Sequence, residues 1–136
     1  MEAEGNVIGS IGRGCLVFLG IGGQDTVQQV EKTVEKIRKL RIFSDENGKT
    51  NLSSEDIGGD ILIVSQFTLY ADCKKGNRPS FANAAGPVLA EELYEYFIEI
   101  SRGKFNKVAY GSFGAHMRVS LVNDGPFTLI LDEAWA

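Results

Sequence analysis

Histidine, cysteine, proline and tryptophan are all scarce in this 136-residue chain, with one, two, three and one copies respectively. The single histidine, His116, leaves a structural zinc site almost without ligands and excludes a zinc hydrolase built on several histidines. A Ser-His-Asp or Cys-His arrangement would have to be assembled on that one residue. Cys15 lies in an apolar run and Cys73 in a polar loop, which is neither a disulfide framework nor a metal-ligand spacing, so a reducing, cytoplasmic compartment is expected. No apolar run approaches the roughly 20 residues that span a bilayer. The opening Met1-Glu2-Ala3-Glu4-Gly5 is acidic where a signal peptide would be basic, so neither leader nor membrane anchor is expected. Fourteen Lys and Arg against eighteen Asp and Glu give a net charge of −4, which excludes a global basic field for nucleic acid. An RNA partner must therefore be met by a local patch. Pro79, Pro87 and Pro126 all lie beyond the midpoint, and no linker or repeat interrupts the chain, so residues 1–136 read as one domain.

What is present has clear periodicity. Val7–Ile11 and the unbroken apolar run Cys15–Ile21 read as two strands of a hairpin about Gly12-Arg13-Gly14. Asp25 supplies an N-cap with Gln28 three residues on, and Val27, Val30, Val34, Ile37 and Leu40 predict an amphipathic helix over about 26–39. Asp45–Lys49 is a polar turn, and Ile61–Val64 a buried strand running into Ser65–Tyr70. Pro87 opens a second helix with a stripe of Leu89, Leu93, Phe97 and Ile100, ended by Gly103. Met117, Val119 and Leu121 then alternate with His116, Arg118 and Ser120, and Phe127–Leu131 reads as a last strand. The order implies a single mixed α/β domain, with curved sheet and two main helices on one side.

Several segments invite a chemical reading. Gly20-Ile21-Gly22-Gly23-Gln24-Asp25 sits between strand and helix but has Asp25 where a dinucleotide fingerprint needs glycine, and no Gly-Lys-Ser/Thr follows, so it reads as a capped connection. Ser65-Gln66-Phe67-Thr68 places three polar side chains at the C-terminal end of an apolar strand, where open α/β sheets bind ligands. On physical grounds alone these groups satisfy neighbouring backbone. Asn123-Asp124-Gly125-Pro126 is by the same standard a turn, Lys74-Lys75-Gly76-Asn77-Arg78 a solvated loop, and His116 a surface residue.

Taken together, Ser65-Gln66-Phe67-Thr68-Leu69-Tyr70 and Asn123-Asp124-Gly125-Pro126-Phe127-Thr128 resemble the two signature motifs of the D-aminoacyl-tRNA deacylases. The likeness extends, in family order, through Ile11–Gly14, Leu40–Phe43, Lys75–Phe81 and Gly111–Ala115. It implies the fold of that family and a homodimer that hydrolyses the ester between a D-amino acid and the terminal adenosine of tRNA, clearing mischarged glycine as well, with no metal or organic cofactor. There are two departures. Family members usually begin with a further strand containing a Gln-Arg-Val segment, so this chain is expected to lack the first strand. Phe127 stands where the family usually has valine.

An aminoacyl ester is already activated, so the chemistry asks chiefly for a placed water or hydroxyl and for donors at the developing oxyanion. That suits motifs without His, Cys or Glu. Gln66, Phe67 and Thr68 are the catalytic candidates, the Gln66 side chain and backbone N–H groups near Phe67 being the candidates for holding the substrate carbonyl. Thr68 is either a nucleophile or water-positioning group, or a packing residue while the RNA 2′-hydroxyl assists; the lack of a general base in the motifs favours the second. Ser65, Asn123, Gly125 and Pro126 are the substrate-binding candidates, a cis Gly125-Pro126 excluding L side chains from the neighbouring subunit's pocket. Lys74, Lys75 and Arg78 are the expected tRNA contacts. A non-catalytic module that binds adenosine or an RNA end with the same pocket is the alternative.

Overall fold

The computed structural model describes residues 1–132. Its centre is a parallel three-stranded sheet of β3 (Gly14–Leu19), β6 (Asp60–Ser65) and β7 (Val108–Tyr110), with β6 in the middle. The unbroken apolar run of β6 is explained by its two covered faces. Ile61 and Ile63 face helices α1 (Val27–Lys39) and α3 (Pro87–Ser101), while Leu62 and Val64 face Met1, Ala109 and Met117. Both helices thus lie on one side, as expected, and Val34 and Phe97 between them are completely buried.

The opening differs from the hairpin read from sequence. β3 pairs in parallel with β6, and the crossover between them holds α1, a small β4–β5 ribbon (Phe43–Ser44, Thr50–Leu52) and the short α2 (Ser54–Ile57). The hairpin at the start is β1 (Glu2–Ala3) with β2 (Asn6–Val7), turning through Glu4 and Gly5 at positive φ. A strand apolar on both faces needs helices on one and a second layer on the other, which pairing with β6 provides. Gly14 is required there, since a Cβ would collide with the backbone of Asp60.

Helix α1 is capped by Thr26 instead of Asp25. The Thr26 hydroxyl accepts from Gln29 N–H, and the Gln29 side chain accepts from Thr26 N–H at 2.8 Å, a reciprocal capping box. Asp25 is engaged elsewhere, its carboxylate accepting the Gly22 N–H at 2.7 Å. Pro87 opens α3 and the helix ends at Ser101, two residues before Gly103.

The alternation after His116 becomes β8 (Met117–Arg118), which pairs with β1. Phe127–Leu131, predicted as a strand, lies outside every ladder of the described residues. Val122 and Ile130 are accordingly 91% and 87% exposed. Among the described residues no helix is long and apolar enough to cross a membrane.

Candidate active site

Ser65 is the last residue of β6 and pairs with Leu19, and the Gln66 N–H extends that ladder by donating to Leu19 carbonyl at 2.8 Å. Beyond it the chain tightens into a 3-10 turn, Phe67–Tyr70, with Leu69 N–H on Gln66 carbonyl at 3.2 Å and Ala71 N–H on Thr68 carbonyl at 3.0 Å. The hydrogen bonding of such a turn leaves its first N–H groups unclaimed, and here these belong to Phe67 and Thr68. The Gln66 side-chain amide donates to the Thr68 hydroxyl. The Phe67 ring, 54% exposed, meets Phe81 edge to face with centroids 5.0 Å apart. The turn therefore presents backbone donors, an amide, a hydroxyl and an aromatic edge on the surface.

The chain from Ala71 onward forms a loop closed by Asp72 and Ser80, which exchange backbone hydrogen bonds of 2.7 and 2.8 Å. Asp72 also accepts the Lys74 N–H at 3.0 Å, and Gly76 supplies the positive φ needed to turn. Lys74, Lys75 and Arg78 are all exposed on this loop. An open hollow of about 360 Å³ beside it is lined by Ala71, Asp72, Cys73, Lys74 and Asn83. Three cations are thus carried directly after the turn by a loop whose base is fixed.

Asn123–Thr128 closes on itself: Asn123 Oδ1 accepts the Phe127 N–H at 2.9 Å, and its amide donates to the Thr128 hydroxyl at 2.7 Å. The Gly125-Pro126 peptide is cis, as the resemblance implied, and Phe127 is half exposed. These bonds run within the turn. The first motif and the basic loop are brought together by continuity of the chain, whereas Asn123, Gly125 and Pro126 form a separate exposed unit.

Support beneath the first motif comes from Tyr94, whose hydroxyl reaches the carbonyl of Gly111 at 2.7 Å and that of Ile63 at 3.2 Å. Burial pushes its pKa up to about 12, which keeps it a neutral donor. Burial likewise pushes the Cys15 thiol up. The first motif itself contains no side chain able to act as a base at neutral pH. His116 is exposed, as read from sequence. Sequence reasoning passed over Phe81, Tyr94 and Tyr70 as site residues; Tyr70, in the first motif, and the Phe81 segment had carried a signal through the resemblance, and Tyr94 none.

Among described residues, no group of three His, Cys, Asp or Glu side chains could hold a metal ion. The model of the family described as D-Tyr-tRNA(Tyr) deacylase matches residues 1–132. A D-aminoacyl-tRNA deacylase of Thermosipho africanus is 55% identical over 133 residues, covering 98% of this chain and 89% of that protein. One of Clostridioides difficile is 54% identical over 134 residues, covering 98% and 90%. A solved structure of a c-Myc DNA unwinding element binding protein superposes with a TM-score of 0.90 at 42% identity, covering 97% of this chain and 90% of that one. With identities of this order over nearly the whole length, and the two motifs placed as described, the chain belongs to the D-Tyr-tRNA(Tyr) deacylase family.

Proposed function

We propose that this protein hydrolyses the ester bond of D-aminoacyl-tRNA, releasing the free D-amino acid and tRNA as a proofreading step, and that it acts in the cytoplasm. The observation that carries this reading is the Ser65–Tyr70 turn at the C-terminal end of β6, joined to relatives above 50% identity that bear the deacylase name. The ester needs no strong acid or base, only a held carbonyl and an oriented attacking oxygen. N–H groups of Phe67 and Thr68, with the Gln66 amide, supply donors for the carbonyl. Ser65 borders the same end of the strand. Lys74, Lys75 and Arg78 meet the phosphates of the acceptor end, where a net charge of −4 would otherwise repel RNA.

Discrimination between D and L falls in this reading to Asn123, Gly125 and Pro126. These contribute main chain against one side of the substrate's chiral carbon, so glycine, without a side chain, is also accepted. The protein acts as a homodimer, and support for this comes from the exposed apolar side chains Leu121, Val122, Leu129 and Ile130 flanking that turn, which a second copy would cover.

The experiment is to incubate the protein with matched D- and L-aminoacyl-tRNA and follow release of amino acid. Release from the D ester alone is expected. Binding of both without hydrolysis of either would make the protein a non-catalytic module. Light scattering at micromolar concentration is expected to give twice the chain mass, and a fully active monomer would overturn the shared site.

A further inference from the structure

The loop Gly20-Ile21-Gly22-Gly23, which connects β3 to α1, also touches the far end of the Phe67–Tyr70 turn. The ring of Tyr70 lies against it. A Cβ added at Gly22 would stand 2.8 Å from the Tyr70 hydroxyl oxygen and 2.9 Å from Cζ, and one at Gly20 would stand 3.2 Å from Leu69 Cβ and from the Tyr70 ring. Neither glycine has a positive φ, so the backbone conformation does not call for glycine at either place. The ring does. Gly23 beside them also lacks a positive φ, and a Cβ there would have nothing within 4 Å.

The loop is fixed against retreat. Ile21 is buried in the core and its carbonyl accepts the Ala85 N–H at 2.9 Å. Gly22 donates to the Asp25 carboxylate at 2.7 Å, and Gly23 donates to the Asn83 carbonyl at 3.4 Å. A side chain at position 22 would therefore push on the Tyr70 ring before it displaced the loop, and one at position 20 would press on Leu69 Cβ, next to the turn's main chain, as well.

We infer that Gly20 and Gly22 form a seat for the Tyr70 ring, which sets the height of the Phe67–Tyr70 turn and makes these three positioning residues for ester hydrolysis. The inference rests on the proposal that this turn holds the substrate carbonyl. Reacting groups displaced by about 1 Å lose up to about a hundredfold in rate, so a small shift of the turn is readable in kcat.

The test is hydrolysis of D-aminoacyl-tRNA by Gly22→Ala, Gly23→Ala, Tyr70→Leu, the Gly22→Ala/Tyr70→Leu pair and Gln66→Ala. Gly22→Ala is expected to lower kcat by about tenfold or more with KM nearly unchanged, while Gly23→Ala matches the parent. Once Tyr70 is leucine, adding Gly22→Ala is expected to cost less than about twofold, because the methyl has no ring to push. Gly20→Ala, with its milder 3.2 Å contact, reads the same displacement in smaller measure should Gly22→Ala fail to fold. Equal losses from Gly22→Ala in both backgrounds would overturn the seat, as would parental kcat in Gly22→Ala while Gln66→Ala is impaired. Parental activity in Gln66→Ala would instead remove the site on which the seat depends.

Discussion

The side-chain amide of Gln66 donates to the hydroxyl of Thr68, two residues further along the same turn. An amide N–H can hold a hydroxyl oxygen but cannot accept its proton, so this contact orients Thr68 without activating it.

If Thr68 packs and positions, Thr68→Ala should retain activity within about tenfold of the parent, whereas loss of an essential nucleophile would cost several orders of magnitude. A tRNA whose terminal 2′-hydroxyl is replaced by hydrogen should bind and not turn over. Full turnover of that deoxy substrate would contradict assistance by the RNA.

Replacing Lys74, Lys75 and Arg78 together by Ala should weaken binding of every tRNA alike and flatten its salt dependence, by roughly 0.7–0.9 in log–log slope for each phosphate that is no longer neutralised. Filter binding across a salt series reads this directly. An unchanged slope would remove the loop from the RNA interface.

At Gly125 the backbone has φ +138°, and a Cβ would stand 3.2 Å from the Phe127 nitrogen. Gly125→Ala should therefore distort the Asn123–Thr128 turn and lower hydrolysis of D-aminoacyl- and glycyl-tRNA together. Because the turn is exposed, the melting temperature should move little. A Gly125→Ala protein with parental rates on both would take this turn out of the pocket.

Asp60, at the start of β6, accepts from the Asn106 amide and from Gly12 N–H, each at 2.9 Å. The Asn106 bond, with those from backbone, holds its carboxyl below the usual range despite opposing burial. A folded-state pKa below the unfolded value of about 3.9 gives stability that is complete above that pH and lost as pH falls through the folded value. Asp60→Asn should cost about 1–3 kcal/mol at pH 7, the difference narrowing below about pH 4. Melting curves from pH 3 to 7 check this; a gap constant with pH would disconnect the carboxylate from acid unfolding.

Legibility in the sequence followed the reach of each signal. Helices α1 and α3 announced themselves through 3.6-residue spacing and Pro87, and β6 through four consecutive buried apolar residues. The cap of α1 was misplaced by one residue, because Asp25 and Thr26 are both capable acceptors and only the loop decides that Asp25 is spent on Gly22. The parallel partner of β3 could not be read, since a strand apolar on both faces does not say which neighbour it takes. Phe127–Leu131 has strand composition, but composition does not decide whether a segment pairs, and this one joins no ladder of the described residues. At the site, Gln66 and Thr68 stood out as polar residues ending an apolar strand, whereas Tyr70 was only the last residue of a motif and its glycines read as a connector. Their relation exists only across the gap between two segments.

The parallel pairing of β3 with β6 also bears on how the molecule forms. Gly12 and the Asp60 carboxylate that it meets are 48 residues apart in sequence, and β7 joins β6 only after the whole of α3 has been traversed. Both neighbours of the central strand are thus remote, and the entropy of closing those loops precedes any reward from the ladder. Helix α1, whose hydrogen bonds along the chain are local, carries no such burden. The Phe67–Tyr70 turn grows from the end of that central strand, so its position is defined only when the sheet is in register. The geometry of that turn is therefore tied to long-range strand pairing and not to local helix formation.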